Sequence, residues 1–265
     1  MYYPYKNASI FYETFGSPAK PAILLLHGFT ENGLMWDELI DAFYEYFQFI
    51  VPDLLGHGKS GLTGEFLTME EQAEAVSGLL DYLGVRKAII IGHSMGGYIA
   101  LALAEMYPER WEGLMLYHSK PQADDPSKAA GRDEAIRAVE QDKYSFLSQA
   151  IRGFFAPYNR PRFDPEIGDL VEMAAMMPIG GITGALKGMK IRKDRRHVFF
   201  RKDGYPKGWI VGRDDPLIDF DELSAMAREN PHILFYPIDG GHMSYVENPD
   251  EMIKAMEDFL KKCYD

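Results

Sequence analysis

Cysteine is nearly absent: Cys263 is the single one among 265 residues. One thiol cannot close an intramolecular disulfide, so nothing calls for an oxidising compartment, and a cytoplasmic protein is expected. Basic residues are also in deficit. Lys and Arg total 28 against 40 Asp and Glu, a formal charge of −12 at pH 7. That balance argues against nucleic acid or an anionic membrane as partner. Long apolar runs are missing as well. A stretch such as Ala22–Leu26 is far too short to cross a bilayer. Residues 1–6 show no basic segment followed by an apolar one, so no secretory signal is expected. There are no internal repeats, no low-complexity segments and no H-x-x-x-H spacing. The glycine loop at Gly56 lacks the lysine-serine ending of a P-loop. No metal and no cofactor are therefore expected. No arginine or lysine cluster stands near the motifs below, so no phosphate or carboxylate anchor is expected either.

What is present is a large apolar fraction, 46% of the chain, enough for a substantial core. The length fits one large α/β domain, with or without an insertion. Two short alternating stretches ending at residues 10–14 read as an opening hairpin. Ala22–Leu26 is a continuous apolar run, as a parallel strand buried on both faces requires. Residues 36–47 have helical periodicity, and residues 47–51 read as the next strand. Thr68-Met69-Glu70-Glu71 is a capping box opening a helix that Gly84 ends. Residues 87–91 and Trp111–Tyr117 are further strands. After His118 the rhythm breaks. Residues 120–202 are charged, helix-rich and interrupted by Pro157, Pro161, Pro165 and Pro178, with no buried-type strand before residues 198–200. Alternation resumes with a strand at 208–211, a helix near Phe220–Glu229, a strand at 233–236 and a last helix from Pro249. The expected organisation is a core domain of residues 1–119 and 203–265 around a helical cap of residues 120–202.

Chemistry concentrates at Gly92-His93-Ser94-Met95-Gly96-Gly97. A buried-type strand precedes it and a helix-like stretch follows. The pattern G-x-S-x-G suits a turn too tight for nearby Cβ atoms, which holds the serine hydroxyl out at the strand end. The Met95 N–H then opens a helix and can receive an oxyanion. Such a serine needs a base. Of the seven histidines, His242 follows a strand in Asp239-Gly240-Gly241-His242, just before the last helix. His118 ends a strand beside the insertion, where it could line a pocket. The base needs a carboxylate. Gly212-Arg213-Asp214-Asp215-Pro216 ends a strand and offers two, which on extended backbone point in opposite directions. His27-Gly28-Phe29-Thr30 follows the strand Ala22–Leu26, where a loop N–H could supply a second oxyanion donor.

These pieces, with Trp36, Pro52-Asp53-Leu54-Leu55-Gly56-His57-Gly58-Lys59-Ser60 and Glu247-Asn248-Pro249, resemble the α/β-hydrolase superfamily in its core-plus-cap form over essentially the whole chain. The resemblance implies a mostly parallel central sheet flanked by helices, with an α-helical cap. It implies a Ser94–Asp215–His242 triad in the family's order, with Asp215 rather than Asp214 as the acid. It also implies an oxyanion hole from the Phe29 and Met95 amides. A single glycine at the oxyanion loop favours the small-molecule hydrolase branch over lipases with a glycine run. Serine at the elbow argues against dehalogenases and epoxide hydrolases, which use aspartate there. The expected activity is hydrolysis of a small carboxylic ester or related acyl compound through an acyl-enzyme. The rival enzyme class is a carbon–carbon hydrolase or lyase, of the meta-cleavage product hydrolase or menaquinone-pathway type. A non-catalytic ligand receptor on the same fold is the third reading. Leu170, Met173, Ala174 and Met177 share a helical face, so Met173 and Met177, with Met243 beside His242, are candidate pocket residues. The basic run Arg192, Lys193, Arg195 and Arg196 reads as a solvated face. Gly180, Gly181, Gly184 and Gly188 weaken helix propensity in the cap.

Overall fold

The computed structural model describes residues 1–202 and 204–264. Two short strands open the chain, β1 (Tyr2–Tyr5) and β2 (Ala8–Phe15), followed by β3 (Ala22–Leu26). The sequence then alternates α1 (Asp37–Phe43), β4 (Gln48–Pro52), α2 (Met69–Tyr82), β5 (Ala88–His93), α3 (Met95–Met106) and β6 (Trp111–Tyr117). Next come α4 (Pro126–Gln141), α5 (Lys143–Phe154), α6 (Asp164–Ala175), α7 (Ile179–Lys190) and α8 (Arg196–Phe199). The chain closes with β7 (Lys207–Gly212), α9 (Phe220–Glu229), β8 (Ile233–Ile238), α10 (Ser244–Glu247) and α11 (Pro249–Tyr264).

The eight strands form one sheet in the order β1-β2-β4-β3-β5-β6-β7-β8. The pairs β1–β2 and β2–β4 are antiparallel, and the other five pairs are parallel. The apolar runs explain why β3 and β5 are central. Along β3, Leu24 and Leu26 enter one hydrophobic layer while Ile23 and Leu25 enter the other. In β5, Ile90 faces the first layer and Ile89 and Ile91 the second. Side chains alternate across a strand, so a run with no polar position needs apolar cover on both faces. Each such isoleucine or leucine contributes about 1.5–3 kcal/mol on burial. Strand order reverses around β3, which has β4 on one side and β5 on the other. A ligand site belongs at the carboxyl ends there.

Between β6 and β7 the described residues form helices and no strand. Residues 198–200, expected to be a strand, instead belong to the short helix α8 and its end. Their apolar side chains pack in a cluster with Trp209 rather than along a neighbouring strand: the Phe199 and Phe200 rings lie 5.1 and 6.0 Å from it. The expected domain boundary at residue 203 lies outside the described residues.

The glycines of α7 have a packing role. A Cβ on Gly181 would lie 2.1 Å from the Gly56 carbonyl oxygen, and one on Gly188 would lie 1.9 Å from that of Leu67. The helix backbone thus sits directly on the loops that follow β4. The basic run also departs from its reading as a solvated face. Arg192 and Arg195 are buried, whereas Lys193 and Arg196 are largely exposed. Arg195 reaches Glu70 of α2 at 2.7 Å and Glu105 of α3 at 3.0 Å. Arg192 reaches Asp124 at 2.7 Å and stacks over the Tyr98 ring at 4.0 Å. The carboxylates that satisfy these arginines lie far away in sequence, so a local charge pattern could not reveal them.

Candidate active site

Four strand ends meet at one place. Ser94 follows β5 with φ 49° and ψ −114°, a backbone conformation that side chains with a Cβ rarely adopt. The turn is possible because its neighbours are small: a Cβ on Gly96 would fall 2.2 Å from the Leu26 carbonyl oxygen. The strain projects the hydroxyl toward the loop after β8. There His242 Nε2 lies 2.8 Å from Ser94 Oγ, and His242 Nδ1 lies 2.7 Å from Asp215 Oδ2. Asp215 sits just past β7, ahead of Pro216. Asp214 turns away to accept from the Tyr158 hydroxyl at 2.9 Å. Phe29 lies within the loop after β3, and Met95 is the first residue of α3, where an N–H has no intrahelical acceptor.

Asp215 is held tightly. Its Oδ1 accepts the Leu217 N–H at 2.8 Å, and its Oδ2 faces His118 Nδ1 at 2.9 Å as well as His242. Burial opposes its ionisation, but His242 and His118 outweigh that and hold the carboxyl well below the usual carboxylate range. A carboxylate only accepts, so both imidazoles present an Nδ1–H. His242 Nε2 is thereby free to accept the Ser94 proton. His118 Nε2 lies 2.6 Å from Ser244 Oγ, itself 2.6 Å from the Tyr117 hydroxyl. The donor atoms of His118, Asp215 and His242 lie within 4.8 Å of one another, a spacing a metal could use. Hydrogen bonds to one another, to Ser94 and to Ser244 already account for those atoms.

A second buried pair was not expected from the sequence. Glu31 Oε2 is 2.8 Å from His93 Nδ1 and accepts the Gly28 N–H at 2.6 Å. His93 Nε2 is 3.0 Å from the His242 carbonyl oxygen. Both partners of the His93 ring are acceptors, so both nitrogens donate and the ring is an imidazolium. Burial works against each charge. Glu31 nonetheless raises the His93 pKa, and His93 lowers that of Glu31. This one ion pair ties the Gly28–Phe29 loop, the elbow and the His242 loop together. Glu247 adds a further tie. Its carboxylate accepts the Gly241 N–H at 3.0 Å and the Ala156 N–H at 3.1 Å, while the His242 N–H bonds to the Phe154 carbonyl at 2.9 Å. The end of α5 therefore fastens the histidine loop.

A cavity of about 290 Å³ opens above Ser94 and His242. Its walls include Phe29, Phe146, Phe154, Leu186 and Met243. The other expected pocket residues lie elsewhere. His118 is fully buried behind Asp215, because φ of 46° turns it under the strand ends. Met173 and Met177 face another cavity, of about 200 Å³, with Thr30, Asn32 and Lys59. Met177 lies past the end of α6, so the helical face read from the sequence does not extend to it. The Ser94 cavity also brings together Lys120, Lys128 and Arg132, against the expectation that no cationic cluster stands near the motifs. They come from the loop after β6 and one face of α4. Only the pairing of β6 beside β5 delivers them to the elbow.

A family model described as alpha/beta hydrolase fold matches residues 21–249. The chain belongs to that family. Its fold is that of hydrolase enzymes, and several relatives are named esterase, lipase, enol-lactonase or hydrolase. It is 22% identical to 3-oxoadipate enol-lactonase 2 of Acinetobacter baylyi, over 97% of this chain and 95% of the relative. It is 28% identical, over 93% of its length, to the dihydrolipoyllysine-residue acetyltransferase component of the acetoin cleaving system of Pseudomonas putida, of which it spans only 65%. A solved thermophilic esterase from Thermogutta terrifontis superposes with a TM-score of 0.90 at 29% identity, covering 97% of this chain and 95% of that one. Among the described residues of this hydrolase-fold chain, no helix is long and apolar enough to cross a membrane.

Three buried histidines make this hydrolase fold acid-sensitive. Burial lowers His27 to about 4, His57 to about 3 and His118 to about 4, from an ordinary 6.5. His27 illustrates the cause. Its Nδ1 donates to the Gly28 carbonyl and its Nε2 accepts the Leu54 N–H at 2.9 Å, so a second proton would break that bond. Below pH 6.5 the unfolded chain takes up protons that the folded state refuses. Stability then falls by about 1.4 kcal/mol per pH unit for each histidine, down to its folded value. His93 has the opposite shift. Its contribution is complete below pH 6.5 and is lost as pH rises through its raised value. Denaturant titrations at pH 7, 6 and 5 should show midpoints dropping steeply with acid. Equal midpoints would show that these histidines take up protons without cost.

Proposed function

We propose that the protein is a serine hydrolase of small carboxylic esters or related acyl compounds. The observation that carries this reading is the chain Ser94 Oγ–His242 Nε2–His242 Nδ1–Asp215, at 2.8 and 2.7 Å, at the base of a cavity of about 290 Å³. Ser94 attacks the substrate carbonyl while His242 takes its proton. Asp215 fixes the histidine tautomer and stabilises the imidazolium as it forms. Negative charge develops on the carbonyl oxygen and is met by the Phe29 and Met95 amides. His242 returns the proton to the leaving alcohol. Water then repeats the sequence on the acyl-enzyme and releases the acid. The span 120–202 acts as a cap that walls the cavity and fastens the His242 loop through Phe154 and Ala156. The lone Cys263 fits a cytoplasmic location.

The cavity is at the small end for ligand sites, so short acyl chains are favoured. Among p-nitrophenyl esters, acetate and butyrate should exceed laurate by about tenfold or more in kcat/KM. Failure to turn over any ester, with turnover of diketo acids instead, would move the assignment to carbon–carbon hydrolysis.

A further inference from the structure

Among the described residues of this strongly acidic protein, four lysine and arginine side chains are buried: Lys120, Arg192, Arg195 and Lys207. Three have clear reasons to be there. Arg192 meets Asp124, Arg195 meets Glu70 and Glu105, and Lys207 donates to the carbonyls of Val198 and Arg201. Lys120 is the exception. It is only 9% exposed, yet it takes part in none of the ion pairs found among the described residues; the Glu222 and Asp125 carboxylates act on it only from farther off. Its ammonium instead has a second ammonium, that of Lys128, beside it. Both lysines line the cavity that holds Ser94 and His242.

An unpaired buried cation is costly, and a like charge next to it adds to the cost. The local backbone leaves Lys120 little choice. His118 takes a positive φ at the end of β6, Ser119 Oγ bonds the Ser94 carbonyl oxygen at 2.7 Å, and Lys120 follows at once. The residue is therefore anchored to the elbow itself. Lys128, Gly131, Arg132 and Ala135 share one face of α4, whose amino end adds a partial positive charge. Arg132 is engaged with Asp124 at 3.2 Å, and the Glu31 charge is matched by His93. The two lysines are left as the cavity's cations without an ion-pair partner among the described residues, Lys120 buried and Lys128 exposed at the rim, with Asp125 and Glu222 acting only from a distance. The remaining walls, such as Phe146, Phe154 and Leu186, are apolar.

We propose that Lys120 and Lys128 form a carboxylate-binding subsite, so that the ester or lactone cleaved at Ser94 carries a free carboxylate on its acyl side. This rests on the hydrolase reading above. The apolar wall holds a short methylene chain, and the lysine pair receives the charged end. The subsite also determines specificity: a neutral acyl chain of the same shape leaves both ammonium groups unpaired.

The test compares mono-p-nitrophenyl succinate, glutarate and adipate with p-nitrophenyl esters that carry an isopropyl group in place of the carboxylate. At low ionic strength the best anionic ester should exceed its neutral counterpart by about tenfold or more in kcat/KM. Lys120→Met should lose about tenfold on the anionic ester, mainly through KM, and that loss should exceed its loss on the neutral ester by about fivefold or more. Lys120→Arg should keep the preference. Glutarate alone should raise the Tm of the unmodified protein and not that of folded Lys120→Met protein. Equal activity on both ester types, or equal losses on both in Lys120→Met, would overturn the subsite. If neither ester type reacts, the hydrolase reading fails, and glutarate stabilisation still decides whether the lysine pair binds a carboxylate.

Discussion

Ser94→Ala protein is expected to fold normally and to lose about 10⁴- to 10⁶-fold in turnover of a short p-nitrophenyl ester. Alanine keeps the Cβ that serine already carries, so the backbone strain at φ 49° is unchanged. The one side-chain bond lost is that to His242. The Glu31–His93 pair and the Glu247 contacts still hold the surrounding loops. The residual rate should be that of an oxyanion hole without a nucleophile. Circular dichroism and thermal melting establish the fold, and a coupled colorimetric assay reads the rate. Turnover within a few fold of the parent would remove the serine from the mechanism.

Asp215→Asn should cost about 10⁴-fold in kcat, whereas Asp214→Asn should leave most activity in place. Asp215 receives Nδ1–H groups from both His242 and His118 on one oxygen. An amide offers one accepting oxygen and a donating nitrogen. With that oxygen in the Oδ2 place, the amide nitrogen meets the Leu217 N–H donor to donor; with the nitrogen there instead, both imidazoles face a donor and His242 must reverse its tautomer or lose its bond. If His242 reverses, Nε2 carries hydrogen and points a donor at Ser94, which cannot serve as a base. Asp214 has no such duty: it meets the Tyr158 hydroxyl at the surface. Comparable losses in both variants would mean that Tyr158 and Asp214 position the site, through the cap segment that follows α5.

The legible parts of this protein were those written locally. The continuous apolar runs of β3 and β5 marked central strands, because burial on both faces leaves no room for polar positions. Thr68 was readable as a cap, and its hydroxyl does accept the Glu71 N–H at 3.1 Å. The elbow was readable because a tight turn requires small residues at fixed offsets. Pro216 and the paired glycines before His242 marked two further strand ends. The parts that escaped depend on which strands are neighbours. Glu31 and His93 are 62 residues apart, and nothing in either segment announces the other. Nothing local distinguishes Lys120 among the charged residues after His118; the pairing of β6 with β5 brings it to the elbow. The glycines of α7 read as weak helix, whereas their use is close contact with Gly56 and Leu67. Periodicity gave Met173 and Met177 a common face but could not say which cavity it meets.

The most direct test of the central claim is intact-protein mass spectrometry after exposure to a fluorophosphonate at neutral pH. The account predicts one phosphonyl adduct per chain, located by peptide mapping on Ser94. The adduct should be absent from Ser94→Ala protein and form far more slowly in Asp215→Asn protein. An unmodified chain, or an adduct on another residue with Ser94 intact, would contradict it.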